Sequence, residues 1–211
     1  MQKPIRLARI PLGLLLLGTA ILGLPRAAHA SSEFDRLYAP CVVCHQASAW
    51  GSVDGTIPSL AGQQRRYLEK QLAAFRSGDR VDTAMQTVAA HPSMHNARDI
   101  SVLAKALSDL APNPKPVQGT GEPLGLAEEM YGHICAACHG LAGQGDAGNR
   151  VPRIAGQHYP YLRRQIEAAA DLHKDLAPPE MTSALRGMRP QDRDLIADYI
   201  SRLGASGVDS H

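Results

Sequence analysis

Two copies of one five-residue string, Cys41-Val42-Val43-Cys44-His45 and Cys135-Ala136-Ala137-Cys138-His139, constrain this chain more than any other feature. A Cys-x-x-Cys-His string attaches a c-type haem, because both thiols can add to the vinyl groups while the adjacent imidazole reaches the iron. The two strings take up all four cysteines. Two disulfides or a zinc site would be the competing use of these residues, and a thioredoxin-like pair the competing use of a single string. The histidine after each pair and the export signal ahead of both favour haem, so the sequence predicts two covalently bound haem c groups.

Residues 1–30 read as an export signal rather than part of the fold. Lys3, Arg6 and Arg9 form a positive start, residues 12–24 an apolar run, and Ala28-His29-Ala30 a cleavage site. Cleavage after Ala30 leaves a mature chain beginning at Ser31 in the periplasm. The apolar run is short against the roughly 20 residues of a membrane span, and an uncleaved anchor is the alternative. Losing four basic and no acidic residues takes the chain from 22 basic and 20 acidic side chains to 18 and 20, a net charge near −2. No basic block remains to suggest nucleic acid. Aromatic residues make up only 4% of the chain, thin for two cores, and a haem in each half supplies the missing apolar bulk.

The chain is internally duplicated with a nearly constant shift. Cys41 maps to Cys135, the Pro58-Ser59-Leu60-Ala61-Gly62-Gln63 segment to Pro152-Arg153-Ile154-Ala155-Gly156-Gln157, and Tyr67, Leu68 and Gln71 to Tyr161, Leu162 and Gln165, all 94 residues on. Residues 111–123 carry four prolines and two glycines and read as a semi-stiff linker. The expected organisation is therefore a signal (1–30), an N-terminal domain (31–110), the linker (111–123) and a C-terminal domain (124–211).

Each copy reads as all-α, with three or more helices. One leads into the haem string, clearest in the second copy, where Leu126, Met130 and Ile134 fall at helical spacing. In the first copy Pro40 precedes Cys41 and predicts a bent or shortened entry. A middle helix carries Leu68, Gln71, Leu72 and Phe75, or Leu162, Gln165, Ile166 and Ala169. A last helix carries Ile100, Leu103, Leu107 and Leu110, or Leu195, Ile196, Tyr199, Ile200 and Leu203. Asn96 with Asp99 resembles an N-terminal cap, and Pro190 suits a first turn.

His45 and His139 are the expected proximal ligands. The opposite side of each iron decides the chemistry, since a thioether closes it and raises its potential whereas an open position permits catalysis. Met85 and Met94 compete in the first copy, and Met130, Met181 and Met188 in the second. Met94 lies two residues before Asn96 and Met188 two before Pro190, which leaves no room for a loop to cross the haem face. Met85 and Met181 leave 11 and nine residues, so they are the expected ligands and the others core packing. Bis-histidine iron through His91, His95 or His173 is disfavoured, because the copies share no further matching histidine. Pro58 and Pro152 each follow their histidine by 13 residues, and a carbonyl there could accept the second imidazole proton.

The export signal, both haem strings, the doubled Pro-x-x-Ala-Gly-Gln with its following Tyr-Leu and Gln, the 75–80 segment before Met85 and the 192–199 helix together resemble the dihaem cytochrome c4 family. The resemblance covers essentially all of the mature chain. It implies two tandem class I cytochrome c domains related by a pseudo-twofold axis, with His-Met ligation through Met85 and Met181. It also implies a periplasmic carrier passing electrons toward a terminal oxidase. The first copy departs from the pattern, with Gln46-Ala47-Ser48-Ala49-Trp50 where the second keeps a glycine-rich 140–148 segment. The second has residues 172–179 where the first has the 75–80 run.

A two-haem carrier needs no bond-making residues, which fits the absence of a nucleophile and base constellation. Its expected partners are redox proteins, a membrane oxidase or a dehydrogenase, without a small-molecule substrate, and the expected state is a monomer or weak dimer. The competing functions are an electron-accepting subunit of a periplasmic dehydrogenase, such as a flavoprotein oxidising a sulfur compound, and a dihaem peroxidase, which needs one iron able to open.

Overall fold

Helix starts and stops are written into local side chains. At Asn96 the side-chain oxygen accepts from Asp99 N–H at 2.7 Å while its amide donates to the Asp99 carboxylate at 2.9 Å. This reciprocal cap opens α5 (Ala97–Asp109), which buries Ile100, Leu103, Ala104 and Leu107, one stripe at helical spacing. The computed structural model describes residues 27–121, 123–171 and 177–204, without the side chains of residues 27–32. The expected signal thus lies outside the described residues, except for 27–30, which begin a helix.

In chain order, α1 (Ala27–Tyr38), α2 (Val42–His45), α3 (Arg65–Ser77) and α4 (Thr83–Ala89) precede α5, with a 3₁₀ turn at Pro92–Met94. In the second copy α6 (Leu124–Met130) runs through a π turn at Tyr131–Cys135 into α7 (Ala136–His139), followed by α8 (Tyr159–Ala170), α9 (Pro179–Gly187) and α10 (Pro190–Arg202). Among the described residues there is no strand, only an isolated bridge between Asp146 and Val151. α5 receives α1 and α3, and α10 correspondingly receives α6 and α8. Two separate apolar cores result, one around Leu37, Leu68, Met94, Leu103 and Leu107, the other around Tyr131, Leu162, Ile166, Ile196 and Ile200.

The entries to the two haem strings differ. Pro40 stops α1 and leaves a turn before α2, whereas the second entry is helical throughout. Two residues separate Tyr38 from Cys41 but three separate Tyr131 from Cys135. The wider π turn absorbs the additional residue. Both tyrosines consequently meet equivalent atoms, Tyr38 donating to Gln46 O at 2.7 Å and Tyr131 to Gly140 O at 2.6 Å. The buried side of the second entry is Ala127 and Tyr131; of the three residues at helical spacing, Met130 packs against the core while Leu126 and Ile134 are exposed.

The loops after the strings share one backbone despite their different sequences. Gly140 and Gly143 have φ of 77° and 65°, and their counterparts Gln46 and Ala49 have φ of 62° and 57°. The missing glycines of the first copy therefore leave its course unchanged and load strain onto Gln46 and Ala49.

The two halves meet through reciprocal contacts. Gln157 accepts from Ser59 N–H and donates to Ser59 O, both at 2.9 Å. Gln63 accepts from Arg153 N–H at 2.9 Å and donates to Arg153 O at 2.8 Å. Each contact is the other shifted by 94 residues, the signature of a pseudo-twofold axis. Beside this clasp the Arg80 guanidinium lies over the Phe75 ring, bonds Gln71, and crosses to Tyr161 Oη at 3.2 Å and Gln165 Oε1 at 2.9 Å.

The linking segment is strapped down rather than loose. Trp50 Nε1 donates to Ala111 O, Val117 N–H donates to His158 Nδ1, and His158 Nε2–H donates to Trp50 O at 2.7 Å. Further on, the buried Asp198 carboxylate accepts from Gly119 and Gly121 N–H and from Arg202. Asp198→Ala strands three donors at once and is expected to cost about 3 kcal/mol in denaturant unfolding of the holoprotein, with faster proteolysis within residues 111–123. Gln46→Gly relieves a left-handed non-glycine residue and is expected to raise stability by about 1 kcal/mol in the same measurement.

Candidate haem sites

Each string folds as a single helical turn, so the first cysteine, the second cysteine three residues on and the histidine four residues on share one side. Cys41 is buried and Cys135 half-buried, while Cys44 and Cys138 are exposed; none forms a disulfide. Before haem is attached, burial, reinforced by the neighbouring thiol, pushes the free Cys41 and Cys135 thiols up to about 11. Among the described residues no three His, Cys, Asp or Glu side chains converge as a zinc site requires.

His45 and His139 are 5% and 8% exposed. His45 Nδ1 lies 2.9 Å from Pro58 O and His139 Nδ1 lies 3.1 Å from Pro152 O. A carbonyl only accepts, so each Nδ1 carries the proton and each Nε2 keeps its lone pair. Burial lowers both imidazoles below the ordinary histidine value, outweighing the opposite pull of the carbonyl. A neutral ring with a fixed tautomer and a free Nε2 beside two thiols is the donor set a c-type haem needs.

The methionines divide by environment. Met94 is 1% exposed and walled into the N-terminal core, and its carbonyl accepts from Arg76. Met85 is half-buried on α4, whose cap Asp82 accepts from Met85 N–H at 3.0 Å. Met181 is half-buried on α9 against the C-terminal core, as are Met130 and Met188 at their own positions. Sequence reasoning placed Met85 and Met181 in loops; the structure puts both on short helices.

Two further pairs belong to the sites. Gly51 and Gly145, related by the shift of 94, donate N–H to His45 O at 3.2 Å and His139 O at 2.8 Å. Gln63 and Gln157 were visible only as the end of a repeat. The constancy of the shift was the available signal for both pairs, but it does not say what a repeated residue touches.

Residues 35–109 and 126–204 match the cytochrome c family. The cytochrome c4 of Pseudomonas aeruginosa is 32% identical over 158 residues, spanning 72% of this chain and 77% of that protein. A thiosulfate dehydrogenase electron acceptor of Stutzerimonas stutzeri is 32% identical over 171 residues, spanning 78% and 79%. In fold, reduced cytochrome c4 from Pseudomonas stutzeri superposes with a TM-score of 0.70 at 20% identity, over 82% of this chain and 98% of that one. With two family matches, two equivalent His, Cys and Cys sets and the reciprocal clasp between them, this chain belongs to the cytochrome c family as a dihaem cytochrome c4 type electron-transfer protein carrying two covalently attached haem c groups.

Proposed function

We propose that this chain is a periplasmic carrier that takes single electrons from an oxidoreductase and delivers them to a redox partner toward a terminal oxidase. The observation that carries this reading is the equivalence of the two sites: each buries a neutral histidine, and each fixes it with the same carbonyl 13 residues on. Bound haem supplies one-electron exchange between ferric and ferrous iron. The chain's own residues hold the ligand ring, fix its tautomer and keep water from it, which poises a potential and limits reorganisation.

Met85 and Met181 are the sixth ligands in this reading. Met94 is committed to the core, whereas Met85 remains partly accessible on α4; Met181 occupies the corresponding place on α9. Two glycines guard the acceptors of the histidines, one each. A Cβ at Gly51 would stand 2.9 Å from Pro58 O, and one at Gly145 would stand 2.5 Å from Pro152 O. Either would displace the carbonyl that orients the ring.

A second reading makes the electron donor a thiosulfate dehydrogenase. It is supported by relatives from Stutzerimonas stutzeri and Thiomonas intermedia, 32% and 33% identical, that are named as electron acceptors of that enzyme. Export rests on the basic and apolar character of residues 1–30; no helix among the described residues is long and apolar enough to cross a membrane. Rapid-mixing reduction of the oxidised holoprotein by a thiosulfate dehydrogenase and thiosulfate separates the two readings. Reduction at catalytic rates supports the second, and its absence leaves a carrier for other donors.

Optical and magnetic-resonance spectra of the holoprotein are expected to show two low-spin haems that do not bind carbon monoxide; one open iron would instead indicate an enzyme. Met85→Ala and Met181→Ala are each expected to open one haem, seen as loss of about half the methionine-to-iron band and binding of one carbon monoxide. Met94→Ala is expected to keep both haems low-spin and to cost about 2–5 kcal/mol of stability through its core cavity. Gly145→Ala is expected to disturb the His139 haem, read as a shift of one potential with the other unchanged.

A further inference from the structure

The amide clasp between the halves and the carbonyls that orient the histidines share the same two peptide groups. The peptide joining Pro58 to Ser59 presents its oxygen to His45 Nδ1–H at 2.9 Å and its N–H to Gln157 Oε1 at 2.9 Å. The peptide joining Pro152 to Arg153 presents its oxygen to His139 Nδ1–H at 3.1 Å and its N–H to Gln63 Oε1 at 2.9 Å. Each glutamine therefore lies one peptide away from the histidine of the other half.

Both glutamine heads are fixed. Each also donates to the carbonyl of the residue it accepts from, and each oxygen accepts a second N–H from its own chain neighbour, His158 N at 3.0 Å or Gln64 N at 2.9 Å. Ser59, Gln63 and Gln157 are buried. A peptide whose N–H is bonded carries more negative charge on its oxygen, because hydrogen bonds in series polarise one another, most strongly away from water. A stronger acceptor at the imidazole N–H makes the ring a better electron donor to a metal on its far side, which favours the oxidised metal.

We infer that Gln157 and Gln63 are cross-domain positioning residues, Gln157 setting the potential of the iron ligated by His45 and Gln63 that of the iron ligated by His139. The inference rests on the reading of these histidines as axial ligands. Its consequence is that neither potential belongs to one domain alone.

The test uses the full-length holoprotein and potentiometric titrations followed by NMR, so that each potential is assigned to its haem. In Gln157→Leu the potential of the His45 haem is expected to rise and that of the His139 haem to move less, with the His45 Nδ1–H resonance of the reduced protein shifting upfield. Gln63→Leu is expected to give the mirror result. In Gln157→Glu, which keeps an acceptor for Ser59 N–H and strengthens it, the His45 haem potential is expected to fall. Should the leucine variant fail to assemble, the glutamate variant decides alone: its fall must be larger at the His45 haem than at the His139 haem of Gln157's own half. Equal shifts at both haems, a shift confined to the glutamine's own domain, or a changed melting temperature with unchanged potentials would overturn the inference. A wild-type protein without two low-spin, histidine-ligated haems would instead overturn the ligand reading, whatever the potentials do.

Discussion

The hydrogen bond from each buried imidazole to a proline carbonyl is the constraint around which both halves are built. A ring that must keep one nitrogen protonated and the other free needs a dry acceptor at a fixed place, and water would serve neither purpose. The acceptor lies 13 residues downstream of each histidine. The intervening chain must therefore turn back on itself within a few residues. That requirement explains the left-handed residues in both loops and the close approach of Gly51 and Gly145 to the acceptor. It also explains why Tyr38 and Tyr131 each tie down the residue after the histidine.

Around that constraint the helices act as retaining walls. α5 and α10 each hold an entry helix and a middle helix, and the methionine-bearing α4 and α9 pack against the middle helices α3 and α8. The polar contacts between halves are buried and saturated at the glutamines, so they fix a mutual orientation that burial of apolar surface alone would leave free to slide. Asp198, Arg202 and His158 extend the same logic to the connecting segment, whose prolines cannot donate: His158 and Asp198 accept from Val117, Gly119 and Gly121 N–H, and Arg202 donates to Gly119 O.

Much of this was legible in the residues. The two strings named the cofactor, the shift of 94 named the duplication, and Pro40 named the broken entry helix. The proline carbonyls could be found by spacing because the acceptor is backbone and its position is set by chain length. Side-chain partners were another matter. Gln63 and Gln157 stood in plain view as repeat ends, yet their targets lie 90 and 98 residues away in sequence, beyond any local pattern. The spacing of Leu126, Met130 and Ile134 named the second entry helix, but only Met130 of the three packs on the core, whose buried anchors are Ala127 and Tyr131; the π turn that ends this helix left no mark in the apolar pattern. The first loop departs from the glycine-rich pattern of the second in sequence, yet Gln46 and Ala49 adopt the glycine conformation. Sequence records which residue is present, not how much strain its neighbours enforce.

An interface in which each surface is its own complement is the interface of a homodimer. Here both subunits are written in one chain, and the covalent strap makes their meeting independent of concentration. Identity between the two sites is then no longer compulsory, since a change in one half is not copied into the other. Pro40 in one half corresponds to a π turn in the other, Gln46 corresponds to Gly140, and Arg80 reaches across from one side. A symmetric pair of metals becomes an ordered pair, and an ordered pair can give electron flow a direction.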